Sequence, residues 1–456
     1  MVVPRRKGWY RECGFLHEAW TEIKMKHLGQ HISKGLNAAK KSRTAHLRLL
    51  SLLDQILFSA GNFILTVTLA RFYTDSEVTA YGIGLSISLL VQSTQRTCYI
   101  VQSSLLPAPI FVKRLSKVMG QHLVTWGCLL GLGAVVMAGF MLFFPSPFHT
   151  ALAAVIVVTT LIYAQLSFDR IVLLKTGRII DPFLSSLLFC GLNAALFFAA
   201  RFWQIGFLPL MLIVGTYAAL KIARLVWITG KPDFFWGWRM MTKANKRLLP
   251  SSILGIAGSS GFSEFPLFLL GAIAAPAQTA AFVAIRGLVQ PLSIVVRSLD
   301  VIDKNFFQYS SVNGKSFGLR SAFLRQVRLY GALCLLTLLG SAAFGKPIVL
   351  LFYGERYAEF WPLIIGWAAY FSFGALSYPL ETVIVKAGQL KRYNHLRLGA
   401  GAIGILLAFA LCPFYGAYGA ITACVVGWIA SVGLGVWLVR DVLFPVAEDI
   451  AGSNQP

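Results

Sequence analysis

The sequence predicts an all-α polytopic membrane protein of about twelve transmembrane helices, arranged as two six-helix bundles related by pseudo-symmetry. Three observations lead there. Apolar residues make up 57% of the chain and charged residues 13%, the latter roughly half the share in a soluble domain. The apolar residues come in continuous blocks of the ~20 residues that a helix needs to cross a ~30 Å hydrocarbon core. Lysine and arginine collect in alternate gaps between those blocks. Backbone amides in lipid find no water, so such blocks fold as helices. A membrane β-barrel would alternate apolar and polar residues instead. The formal net charge of +23 does not mark a nucleic-acid binder, because its cations lie in loops between apolar blocks rather than on a polar, folded domain.

In chain order, residues 1–46 read as a basic cytoplasmic arm without the short apolar core of a cleavable signal peptide. Six spans follow within 47–229, near 47–71, 78–100, 121–144, 149–175, 180–200 and 205–229. Pro107 and Pro109 extend or kink the second. Residues 230–247 form a basic linker, where Phe234, Phe235, Trp236 and Trp238 precede Arg239, Lys243, Lys246 and Arg247. Aromatic residues beside cations suit a helix lying in the headgroup layer. Six more spans occupy 248–440, near 248–273, 278–301, 324–344, 361–387, 394–413 and 416–440, and 441–456 is a cytoplasmic tail. With the N-terminus inside, the inward segments 1–48, 112–121, 175–179, 221–247, 297–328 and 386–397 carry most of the 41 lysines and arginines, and Arg71, Arg201, Lys346 and Arg356 fall outward. That asymmetry predicts cytoplasmic termini. The triplet Leu90-Val91-Gln92 recurs as Leu288-Val289-Gln290, a faint repeat of the kind two-bundle transporters carry.

Charges deep in lipid are costly and must be paired, snorkelling or facing a wet cavity. Arg96 and Arg286 are flanked by apolar helix, and with Gln92 and Gln290 they are the candidates for substrate binding. Guanidinium groups suit a phosphate-bearing anion, while an ion pair of Arg286 with Glu264 is the alternative, since their depths differ by only roughly 5–8 Å. Asp54 and Glu264 are candidates for ion coupling, with an interfacial cap as the plainer account of Asp54. Asp169 and Arg170, late in the fourth span, are expected to snorkel. Pro250, Gly255, Gly258, Gly261 and Pro266 predict bending in the seventh span. Gly399–Gly404 fits G-x-G-x-x-G but sits inside an apolar span with no preceding strand, so it reads as helix packing rather than nucleotide binding. His27 and His31 have no adjoining glutamate for a zinc site, and the seven cysteines form no C-x-x-C pair. No cofactor, metal or catalytic constellation is expected, and the chain does not read as an enzyme.

Leu50–Phe63, with Asp54-Gln55, Ser59 and Asn62-Phe63, ends in Ala70-Arg71 and resembles the first span of polysaccharide exporters of the multidrug/oligosaccharidyl-lipid/polysaccharide flippase superfamily. Gln95-Arg96 is similar to the same branch. So are Leu351-Phe352-Tyr353-Gly354-Glu355-Arg356-Tyr357, in which Tyr353 interrupts the family's Phe-Gly pair, Lys386–Arg392, and Pro413–Ala420. The likeness runs over residues 47–440. It implies a flippase of the bacterial inner membrane that moves undecaprenyl-pyrophosphate-linked oligosaccharide to the periplasmic leaflet for exopolysaccharide or O-antigen synthesis. The partners it implies are lipid-linked oligosaccharide, membrane lipids, and the polymerase and glycosyltransferases of the same route. Two other readings stand beside it: a cation-coupled multidrug antiporter of the same fold, which calls for an acidic cavity, and a polytopic polymerase or glycosyltransferase, which calls for larger loops bearing catalytic residues.

Overall fold

A computed structural model describes residues 32–95, 108–143, 146–178, 180–244, 249–311 and 317–443. Residues 52–456 form one compact unit; residues 1–51 are a separate one, helical from 32 onward. Every regular element among the described residues is helical. The first half comprises α1 (Ile32–Phe72), α2 (Asp75–Gln95), the short α3 (Ala108–Lys113), α4 (Leu115–Phe143), α5 (Pro147–Lys175), α6 (Ile180–Trp203) and α7 (Phe207–Thr229). Helix α8 (Phe234–Ala244) follows. The second half has α9 (Leu249–Ser263), α10 (Phe265–Ile273), α11 (Pro276–Ser311), α12 (Phe317–Tyr353), a 3-10 turn at Gly354–Phe360, α13 (Leu363–Lys386) and α14 (Leu390–Leu443).

Eight of these helices are long and apolar enough to cross a membrane, or nine when α9 and α10 count as one bent span. Helix α14 holds two of its own. Its 54 residues would reach ~80 Å if straight, far beyond the hydrocarbon core. At Gly416 the backbone leaves the helical region (φ 52°, ψ −126°), three residues after Pro413. Gly419 then lies so close to Leu411 that a Cβ would stand 2.5 Å from its carbonyl oxygen, so the chain doubles back. Helices α2 and α11 also have spanning length (21 and 36 residues). Counting them, and α14 twice, reaches the expected twelve.

The α1–α2 turn marks one end of the bundle, called here the turn end; α8 marks the other, the linker end. At the turn end the Tyr73 hydroxyl donates to the Ile205 carbonyl at 2.7 Å. Burial, with the charge of Glu77 beside it, pushes that hydroxyl up to about 12, so it stays a donor. Helix α8 crosses α4 with backbones touching, because Gly237 sits against Gly120 and Gln121 with no room for a Cβ. Asp233 accepts from the Trp236 amide at 2.9 Å, Ser116 donates to the Lys231 carbonyl at 2.7 Å, and the Lys117 ammonium lies over the Trp236 ring. Phe235 and Trp238 remain exposed.

Lipid tails are as apolar as leucine, so helices associate through close packing and polar contacts rather than through burial from water. The seam of α9 with α14 shows this. A Cβ on Gly258 would meet the Arg397 carbonyl oxygen at 2.6 Å, one on Gly261 would meet Gly401 at 2.9 Å, and one on Gly404 would meet Phe262 at 2.6 Å. The glycines of the seventh span thus serve packing. The bend expected there falls at Glu264, where α9 and α10 break by 44° ahead of Pro266.

Named contacts between the halves cluster from the turn end to the middle of the bundle. Thr79 Oγ1 donates to the Pro276 carbonyl at 3.2 Å, Gly82 lies under Val283, Gly287 faces Thr66, and Phe63 meets Phe352 edge-on at 4.9 Å. Arg356 crosses the seam and donates to the carbonyls of Ala70 (3.0 Å) and Tyr73 (2.5 Å), capping the end of α1, and to Asp75 at 2.6 Å. The Tyr357 hydroxyl adds a bond to Asp75 at 2.9 Å. This latch ties the two halves together at the turn end.

Two predictions follow from these contacts. Gly258→Val should lower stability in detergent by ~1–3 kcal/mol through overpacking at the seam, whereas Gly399→Ala, with open space around it, should melt like the parent. Arg356→Ala should open the turn end. A cysteine placed at the buried position Thr79 should then react several-fold faster with a membrane-impermeant maleimide than in the parent background.

Candidate functional site

The first half encloses a layer of polar side chains near the linker end, five to ten residues from the ends of α4, α5, α6 and α7 or roughly 8–15 Å along each helix. Helix α5 supplies its centre. Arg170 Nε donates to Asp54 Oδ2 of α1 at 2.6 Å, and Ser186 of α6 donates to Asp54 Oδ1 at 2.5 Å. The Arg170 guanidinium also faces the Phe58 ring, which stacks on Phe189. One residue back, Asp169 pairs with Lys221 Nζ of α7 at 3.1 Å and accepts from Gln165 Nε2 at 2.6 Å. Gln165 Oε1 bonds His122 Nε2 of α4 at 3.1 Å. With the Gln165 amide donating to Asp169, its oxygen can only accept, so His122 carries its proton on Nε2. The ring lies flat on Phe168, centroids 3.9 Å apart.

This layer corrects two expectations. Asp169 and Arg170 do not snorkel: Asp169 is 4% exposed, and both are engaged across helices. Asp54 does not cap a helix end: it lies within α1, two residues into the apolar stretch that begins at Leu52, with both carboxylate oxygens bonded. Nothing in the sequence pattern flagged Lys221. It falls both in the span at 205–229 and in the basic inward segment 221–247, and it lies eight residues before the end of α7 at Thr229.

In the second half Glu264 sits at the α9–α10 break, where the backbone turn swings its carboxylate toward α11. Arg286 NH1 and NH2 each donate to one Glu264 oxygen at 3.3 Å. The guanidinium also faces the Trp367 ring at 5.3 Å, and Trp367 Nε1 anchors on the Phe282 carbonyl at 3.0 Å. The two side chains are only 13% and 8% exposed. The alternative weighed for Arg286, an ion pair, is the arrangement found. A fourth pair joins Arg397 to Glu381 at 3.1 Å, with Arg397 over Phe262, Tyr393 and Trp428.

Of the other candidates, Arg96 lies outside the described residues. Gln92 Nε2 donates to the Tyr163 carbonyl at 3.0 Å, within the first half. Gln290 is half-buried in α11, one turn beyond Arg286. The structure therefore brings Arg286 to Glu264, and Asp54 to Arg170. Among the described residues no cluster of His, Cys, Asp and Glu has the makings of a metal site.

No protein-family model matches the chain, and no curated protein matches it. Solved structures do. A eukaryotic MATE transporter, AtDTX14, is 15% identical and superposes with a TM-score of 0.61, over 87% of this chain and 95% of that one. The lipid II flippase MurJ in an inward closed conformation is 12% identical with a TM-score of 0.65, over 87% of each chain. An inward-facing multidrug resistance MATE family transporter of the MOP superfamily is 14% identical with a TM-score of 0.58, over 87% and 94%. At such identities the likeness speaks for the backbone arrangement: the chain has the MATE- and MurJ-like transporter fold.

Proposed function

We propose that this protein is a flippase that carries lipid-linked oligosaccharide across the bacterial inner membrane by alternating access, with both termini in the cytoplasm. The observation that carries this reading is the state of the intramembrane carboxylates. Among the described residues, Asp54, Asp169, Glu264 and Glu381 each bond an arginine or lysine, which leaves these four engaged rather than open to a cationic drug. Cations are in surplus, at +23 over the chain, and an anionic headgroup is the ligand such a surplus suits. The fold shared with the lipid II flippase and the motifs at Asp54-Gln55 and Gln95-Arg96 support the same choice. The latch at Arg356 gives alternating access one of its two gates: tied as described, and opened when the halves rock apart about the seam.

Arg96 and Arg286 are assigned to the pyrophosphate or acidic sugars. For Arg286 this means exchanging part of its bond with Glu264 for substrate oxygens. A guanidinium has five N–H donors, of which Glu264 occupies two. The exchange is favourable only when the incoming group is itself an anion, since a neutral ligand would leave Glu264 buried without its counter-charge.

A deletion strain should accumulate lipid-linked repeat units on the cytoplasmic leaflet and lose surface glycan. Normal glycan with altered dye resistance would favour the antiporter. Removing Arg286 alone strands a buried carboxylate at ~3–5 kcal/mol, so the informative variant is Glu264→Gln with Arg286→Gln, combined with Arg96→Ala. That protein should insert normally and export glycan at a small fraction of the parent rate. Export at the parent rate would remove the arginines from the substrate site.

A further inference from the structure

The corner where α8 crosses α4 gathers exposed cations and exposed rings on one rigid piece of backbone. The Asp233 amide donates to the Ser116 carbonyl at 3.0 Å, beside the bond from the Ser116 hydroxyl to Lys231 and the contact of Gly237 with Gly120. Ser116 thereby brings Lys117, its neighbour in α4, alongside Lys231. Both lysines are exposed, as are Arg114, one helical turn before Lys117, and Arg239 of α8. The carboxylate among them, Asp233, already accepts from the Trp236 amide. The corner is left with a net positive charge.

We propose that this corner binds the headgroup of an anionic phospholipid in the leaflet at the linker end, as a fixed lipid partner rather than as cargo. The site uses none of the residues on which the transporter reading rests, and it stands apart from that reading. At 100° per residue, Phe235 and Arg239 leave α8 on the side away from Gly237, with Trp238 next to them. Phe235 is 80% exposed and Trp238 54%. Such rings favour the boundary between headgroups and acyl chains, so they set the depth at which α8 rides. Lys117 is held near that depth, because its ammonium lies 5.5 Å from the centre of the Trp236 ring. Lipid phosphates lie at the same level.

The cations select the headgroup's charge. A zwitterionic headgroup carries its own cation and offers this corner little net attraction, whereas a phosphate without an amine offers a full negative charge. Each lysine or arginine near such a surface is worth about fivefold in affinity. The rings select a lipid over a free anion. Inorganic phosphate would gain from the cations alone, while a lipid also lays its acyl chains against Phe235 and Trp238. Helix α3 widens the apolar rim with exposed Ile110 and Val112, just ahead of Arg114. The backbone contact at Gly237 and Gly120 fixes cations of two helices in one frame before a lipid arrives, so little ordering is lost on binding.

The test is native mass spectrometry of the full-length protein in detergent, titrated with phosphatidylglycerol or with phosphatidylcholine of the same acyl chains. The first phosphatidylglycerol should bind at least tenfold more tightly than the first phosphatidylcholine. Lys117→Gln with Lys231→Gln should remove most of that preference, at about fivefold per lysine. Both lysines are exposed, so the fold survives their loss. Lys117→Arg with Lys231→Arg should keep the preference, and so should Lys391→Gln with Arg392→Gln, which removes two exposed cations at the start of α14. Equal affinity for the two lipids, or an equal loss in the α14 variant, reduces the corner to diffuse surface charge and overturns the proposal. Phe235→Ser with Trp238→Ser should weaken phosphatidylglycerol binding several-fold. Binding that this variant leaves unchanged, or that millimolar inorganic phosphate displaces, belongs to a free anion and overturns the lipid assignment.

Discussion

A charge inside a bilayer cannot stand alone, and that constraint decides which helices of this protein are neighbours. Each buried pair joins segments far apart in sequence: Asp54 with Arg170, Asp169 with Lys221, Glu264 with Arg286. Such pairs add little net stability over a well-packed apolar alternative, because desolvation consumes most of the Coulombic gain. Their worth lies in what they forbid. A bundle with α5 rotated or shifted by a turn would leave Asp169, Arg170, Asp54 and Lys221 each facing hydrocarbon.

Within that arrangement, small residues set how closely the helices approach. Gly258, Gly261 and Gly401 let the backbones of α9 and α14 touch, and Gly120 and Gly237 do the same for α4 and α8. Hydroxyls finish the fit. Ser88 of α2 bonds both Thr159 and Thr160 of α5, at 2.6 and 2.8 Å. The broken helix at Glu264 belongs to the same logic: a bend of 44° frees backbone at mid-bundle, in the one place where a carboxylate must turn to meet α11.

Much of this was legible in the sequence. Block length gave the spans, and depth counting brought Glu264 within reach of Arg286. The position of Gly399–Gly404 inside an apolar span marked it as packing, which its contacts with α9 bear out. The polar layer of the first half was harder to see. Asp169 and Arg170 lie near the end of α5, where a long side chain can usually reach water, and whether it does depends on which helices close around it. Lys221 was hidden in the same way, since a lysine near the inner end of an apolar block looks the same whether it reaches water or turns to a carboxylate. Pairings across 52 or 116 residues leave no local trace.

The crossing of α8 over α4 has a mechanical consequence. Gly237 and Gly120 lock the two backbones together, so α8 moves with the first half, carrying the exposed rings of Phe235 and Trp238. Aromatic rings of this kind favour headgroup depth. Tilting the first half therefore drags an aromatic paddle through the membrane surface. The thickness and lateral pressure of the surrounding lipid become part of the load against which the protein works.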